Sequence, residues 1–145
     1  MTRVDFYILE DEGIDAAMRF ACRLCLKAYQ GGHPVHVRAA DAEQAKNLDE
    51  LMWDYPRHRF IPHRLNGQND SAAPVHICTE EPEVSEGLLI NLGNDVPSYF
   101  GRFDRVAEII VGETKDVGRE RYSHYRKRGY PLHHHELNDW EERAA

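Results

Sequence analysis

The strongest constraint on this chain is a series of apolar runs that are too short for helices and too continuous for strands with one wet face. They are Val4–Leu9 (VDFYIL), Val35–Val37, Val75–Cys78, Leu88–Leu92 and Val106–Val111 (VAEIIV). Near-continuous runs of three to six such residues suit strands covered on both sides, as in a parallel sheet under helices. Between the first two runs, Ile14, Ala17, Met18, Ala21, Leu24, Cys25 and Ala28 recur at helical spacing over Ile14–Tyr29. Gly31 and Gly32 then supply the left-handed turn that ends a helix. Asp41, with Gln44 three residues on, reads as a capping box for a second helix. Ala45, Leu48 and Met52 line the inner face of that helix, and Pro56 marks its exit. The alternation predicts one α/β domain with a mainly parallel sheet.

The connections are also legible. Pro62 makes Phe60–His63 a short extended piece, and Leu65–Pro74 is a polar loop dense in turn residues. The acidic turn EEPEVSEG separates the third and fourth runs. A third helix is expected from Lys115 to Arg128, ended by Gly129-Tyr130-Pro131. The domain is placed at residues 1–132, with His133–Ala145 as a loosely held, solvated tail that includes the triplet His133–His135.

Composition narrows the function classes. The chain has 145 residues and a net charge of -7, with no apolar run near the ~20 residues of a membrane span. The first dozen residues meet acids too early for a signal peptide, so a cytoplasmic protein is expected, with no membrane partner. Cys22, Cys25 and Cys78 lie in apolar segments and suit reduced thiols rather than a disulfide framework. The acidic total argues against strong direct nucleic-acid binding.

Signs of an enzyme are weak. The turn after the first strand reads EDEGID, where a dinucleotide fold would place glycines around a phosphate. Carboxylates there repel a nucleotide, and neither GxGxxG nor a GK[ST] loop occurs, so no cofactor is expected. Cys22-x-x-Cys25 lies mid-helix without a second CxxC, which reads as core filling rather than redox or metal chemistry. The nine histidines form no HExxH, and no metal site or catalytic set can be named.

What stands out is local. Lys115–Arg128 (KDVGRERYSHYRKR) carries +4, leaving -11 on the remainder. On a helical wheel Arg119, Tyr122 and Arg126 fall within roughly 40° of Lys115, with Ser123 at the margin. Three cations around one aromatic ring suit a short peptide ending in a carboxylate. The same stripe would accept a phosphate and a stacked base, which keeps a single-stranded nucleic-acid binder as the alternative. A solvated helix face is the plainest reading of any charge run. A second stretch, WDYPRHRFIPH (Trp53–His63), interleaves large rings with prolines and cations, as protein interfaces do, although such rings also fold back onto cores.

Two stretches resemble a known family. EQAKNLDELMWDYPRHRFIPHRL (43–65) and RERYSHYRKRGYPL (119–132), with the N-terminal FYIL, are similar to the chi subunit of the bacterial DNA polymerase III clamp-loader complex. The resemblance implies a Rossmann-like three-layer α/β/α domain without a nucleotide-binding loop. It implies a non-catalytic accessory subunit of DNA replication in the bacterial cytoplasm, associated with the replisome. Its implied partners are the psi subunit and the acidic C-terminal tail of single-stranded-DNA-binding protein (SSB), with a helicase-type partner as a further candidate for the psi face. Carried over, the tail-binding positions fall on Lys115, Arg119 and Tyr122, with Ile110 or Val111 as an apolar floor. Ser123 stands where the family would have a lysine, and Arg126 or Lys127 can supply the missing charge. The psi-facing positions fall on Trp53, Phe60, Ile61, Pro62 and His63.

Overall fold

The computed structural model describes residues 1–65, 73–82 and 86–143 of the chain. Seven strands make one sheet: β1 (Arg3–Leu9), β2 (Val35–Arg38), β3 (His63–Leu65), β4 (Val75–Cys78), β5 (Leu88–Asn91), β6 (Arg105–Ile110) and β7 (Leu132–Leu137). They lie in the order β3-β4-β2-β5-β6-β1-β7, and every pairing is parallel. The helices are α1 (Ile14–Gln30), α2 (Ala42–Asp54), α3 (Lys115–Lys127) and the short α4 (Trp140–Arg143).

Alternation along the strands separates two cores. Val37, Ile90, Ala107, Ile109 and Val111 pack with α1 and α2 on one face. Val4, Phe6, Leu89, Val106 and Ile110 pack on the other with Tyr125 of α3 and with Tyr99, Phe100 and Phe103 from the β5–β6 connection. The result is a Rossmann-like α/β/α arrangement.

The expected caps form. Asp41 accepts from the Gln44 backbone N–H at 2.8 Å, while the Gln44 side chain reaches one residue further back, to the Ala40 N–H at 2.7 Å. Gly32, at φ 77°, carries the left-handed turn after α1. Cys22 and Cys25 are fully buried, and burial pushes the Cys22 thiol up to about 12, so both act as core filling. The loop expected over Leu65–Pro74 lies mostly in residues 66–72, outside the described residues, as do residues 83–85 of the acidic turn. The extended piece expected at Phe60–His63 begins its strand pairing only at His63.

Residues from His133 onward, expected as a tail, take a different place. Leu132–Leu137 is the edge strand β7, in register with β1 so that His134 lies beside Phe6 and His135 beside Tyr7. Three histidines carry no hydrophobic pattern, so the strand is invisible until β1 offers a pairing edge. Asp5 holds this edge: its buried carboxylate meets His135 at 2.8 Å and accepts from Arg105 at 2.9 Å and Arg3 at 3.1 Å. Beyond β7, Trp140 is buried against Phe20 and donates to Asp11 at 2.9 Å. Glu141 accepts from Arg19 and from the Tyr55 hydroxyl.

A buried carboxylate fixes α3. Glu108, in the middle of β6, is fully shielded. One oxygen accepts from Arg121 at 2.8 Å; the other accepts from the Tyr125 hydroxyl at 2.6 Å and the Asn91 amide at 2.8 Å. Burial and the Glu108 charge push the Tyr125 phenol far above its ordinary range, which keeps it a donor. Gly118 lets α3 come down onto Ile110, since an added Cβ would sit 2.7 Å from Ile110 Cδ1.

Two outcomes follow in urea unfolding. Glu108→Ala, which strands a buried guanidinium, lowers stability by about 3–5 kcal/mol, whereas Tyr125→Phe costs only about 1–2 kcal/mol. Asp5 sets an acid limb. Burial alone would raise its carboxyl, but the bonds from His135, Arg105 and Arg3 outweigh this and hold it below the ordinary 3.8. A depressed folded value gives stabilisation that is complete above 3.8 and is lost as pH falls through the folded value. Asp5→Asn is therefore less stable than wild type at neutral pH, and the two stability curves converge in acid; parallel curves would show that Asp5 is not the group responsible.

Candidate interaction surfaces

The crevice where a doubly wound fold would hold a phosphate is occupied by the chain itself. The Ile14 N–H at the start of α1 donates to the Glu113 carboxylate at 2.8 Å, and the Glu12 carboxylate lies against Gly112. Carboxylates at a helix N-terminus complement its dipole, so the site is satisfied internally. Among the described residues no His, Cys, Asp and Glu side chains gather into a metal-binding group.

The basic stripe is built by the rotation that Glu108 imposes on α3. Arg121 and Tyr125 point into the domain, which turns Lys115, Arg119 and Arg126 outward; all three are exposed. Among the described residues Arg119 is held only by an exposed pair with Asp116, 3.1 Å away one turn back. Such a pair is weak and easily exchanged for another carboxylate. Tyr122 is half-buried at the seam between α3 and the sheet. Its ring meets Phe6 edge-on, with centroids 5.5 Å apart, and stacks on His134 at 4.9 Å. Ser123 is partly exposed beside it.

The structure separates the two floor candidates. Ile110 is on the α3 face beneath Gly118, and the parallel register places Ile8 beside it. Val111 is fully buried in the opposite core, under α1. The wheel alone missed Phe6, Ile8 and His134. Their signal was the β1–β7 register, which the sequence does not display.

The second surface lies at the far edge of the sheet. Trp53, in the last turn of α2, and Phe60 are 60% and 58% exposed, with ring centroids 5.7 Å apart. The two rings and Arg57, His58 and Arg59 border a shallow hollow of about 500 Å³. The His63 ring stands 5.0 Å from Trp53 and is itself buried, with Nδ1 2.6 Å from the Ile61 carbonyl oxygen and Nε2 3.1 Å from Asp49. Ile61 is fully buried and Pro62 partly so; both anchor the segment, leaving the two large rings to face outward. Two large apolar rings left exposed side by side make this edge a candidate contact surface. The two surfaces lie on opposite edges and opposite faces of the sheet. No helix among the described residues is long and apolar enough to cross a membrane.

Comparison with known proteins identifies the family. Residues 1–133 match the family model of the DNA polymerase III chi subunit, HolC. The chain is 39% identical over 140 residues to DNA polymerase III subunit chi of Pseudomonas aeruginosa, covering 94% of this chain and 98% of that one. It is 30% identical to the chi subunit of Escherichia coli, with 91% and 96% covered, and 27% identical to that of Haemophilus influenzae, with 88% and 92% covered. The chain belongs to the DNA polymerase III chi subunit family, whose members are replication accessory subunits and not themselves the catalysts.

Proposed function

We propose that the protein is a two-sided adaptor of the replicative polymerase in the bacterial cytoplasm, reading the acidic C-terminal tail of SSB with one surface and the psi subunit with the other. The observation that carries the tail reading is the seam at Tyr122. An aromatic wall stacked on His134 stands among three exposed cations, above Phe6, Ile8 and Ile110. A flexible acidic peptide ending in an aromatic residue meets its needs there. Its terminal carboxylate finds Lys115 or Arg119, the latter able to bind two oxygens at once. Its ring finds Tyr122 and the apolar floor.

Arg126 offsets the missing lysine at Ser123. The net charge of -7 disfavours a direct hold on the DNA that SSB coats. The psi reading rests on Trp53 and Phe60, whose paired exposure gives a small partner two anchor positions, with Ile61, Pro62 and His63 fixing their geometry. A helicase-type partner using the same rings would compete with psi. With the two surfaces on opposite edges, both partners can be held at once.

The first measurement is titration with an SSB C-terminal peptide, as the free acid and as the C-terminal amide. The free acid binds and the amide does not, and affinity falls as salt rises. Arg119→Ala weakens binding by at least about tenfold, the usual weight of a hydrogen bond to a charged group, and leaves psi binding intact. Phe60→Ala does the reverse. Equal damage to both interactions by either change would overturn the two-surface reading. Binding of bare single-stranded DNA with no response to the peptide would favour a direct nucleic-acid binder instead.

A further inference from the structure

A second crevice opens where the sheet's connections part. From β2 the chain leaves into α2 on one face, and from the neighbouring β5 it leaves into residues 92–104 on the other. In open α/β sheets ligands bind outside the carboxyl ends of the strands at such a switch point. The crevice between β6 and β1 is filled by Glu12 and Glu113, but the one beyond β2 and β5 is a cleft of about 580 Å³, the size of a small-molecule site. It is walled by Arg38 at the end of β2, Thr79 and Glu81 after β4, residues 95–100, and His124 and Arg128 at the end of α3. These two α3 residues lie on the flank away from the Lys115–Arg119–Arg126 stripe, so the cleft is separate from the proposed tail site.

We propose that this cleft binds a nucleoside monophosphate. The charges in its wall are not equally free. Arg38 is paired with Asp95, and Glu81 with Arg102. Arg128 is exposed, and its one hydrogen bond among the described residues goes to the His124 carbonyl oxygen at 3.1 Å. One uncommitted guanidinium at the rim calls for one anionic group, and its fork matches phosphate. Burial and the nearby Arg128 hold the His124 imidazole below its ordinary range, which leaves it a neutral partner. Val96, Pro97 and Phe100 give an apolar wall for a flat ring. Asp95, bound through one oxygen and largely exposed, retains acceptor capacity for sugar hydroxyls or ring amines. Tyr99, only 8% exposed in the same wall, has its hydroxyl beside the Arg38 guanidinium but makes no well-aligned hydrogen bond.

The test is titration of the whole protein, followed by NMR or calorimetry, with the four 5′-monophosphates, the matching nucleosides and inorganic phosphate. At least one monophosphate binds, and both its nucleoside and free phosphate bind at least about tenfold more weakly. Arg128→Glu removes the anion contact and Val96→Trp fills the cleft; each weakens binding by a similar factor. Both variants keep wild-type affinity for the SSB peptide, which reports on folding and on the independence of the two sites. No response to any monophosphate overturns the proposal, as does binding that survives both variants. Inorganic phosphate binding as tightly as the nucleotide would reduce the cleft to an anion site and also overturn it.

Discussion

One carboxylate sets the orientation of both faces of this molecule that look outward from α3. Glu108 is removed from water, and its two oxygens are used by Arg121, Tyr125 and Asn91. A buried ion pair of this kind adds little net stability, because desolvation consumes most of the attraction. What it fixes is rotation. Arg121 and Tyr125 are one turn apart, so satisfying both locks the helix about its axis and turns Lys115, Arg119 and Arg126 toward solvent. The same network continues through Asn91 to the Gly93 N–H and the Asp95 carbonyl, and through Arg38 to Asp95. It thereby shapes the loop that walls the second crevice.

At the carboxyl edge of the sheet, the position where a doubly wound fold would hold a phosphate is filled by the chain's own carboxylates. The α1 N-terminus is an anion site by its backbone alone, and Glu113 from the start of the β6–α3 connection supplies the anion. That bond also ties the entrance of α3 to the entrance of α1. The fold then serves as a rigid bar, with a tyrosine seam at one edge and a tryptophan–phenylalanine pair at the other. In the proposed adaptor role, a rigid sheet would set the relative placement of the two partners.

Much of this was legible in the residues. The apolar runs located five strands, and the Asp41–Gln44 spacing located a cap that the structure forms with a one-residue longer reach. The helical wheel placed the cations of α3 together. The rest depended on pairing between distant segments. His133–His135 has no apolar signal, and only the register with Val4–Leu9 makes it a strand. Trp140 reads as a stray ring until Phe20 and Asp11 surround it. Ile110 and Val111 are equivalent in composition but lie on opposite faces, because strand side chains alternate and only the helix above decides which is which. Glu108 shows as the single acid within an apolar run, yet its three partners come from elsewhere in the chain.

The strand order has a consequence for synthesis. β1 is the first strand made, but its neighbours in the sheet are β6 and β7, whose partners to Val4 are Val106 and Leu132. Until β6 has been made, β1 has no strand edge to join. β2, β4 and β5 can assemble earlier, since their pairings span much shorter separations. β1 therefore joins the sheet late, after β2, β4 and β5 can already have paired.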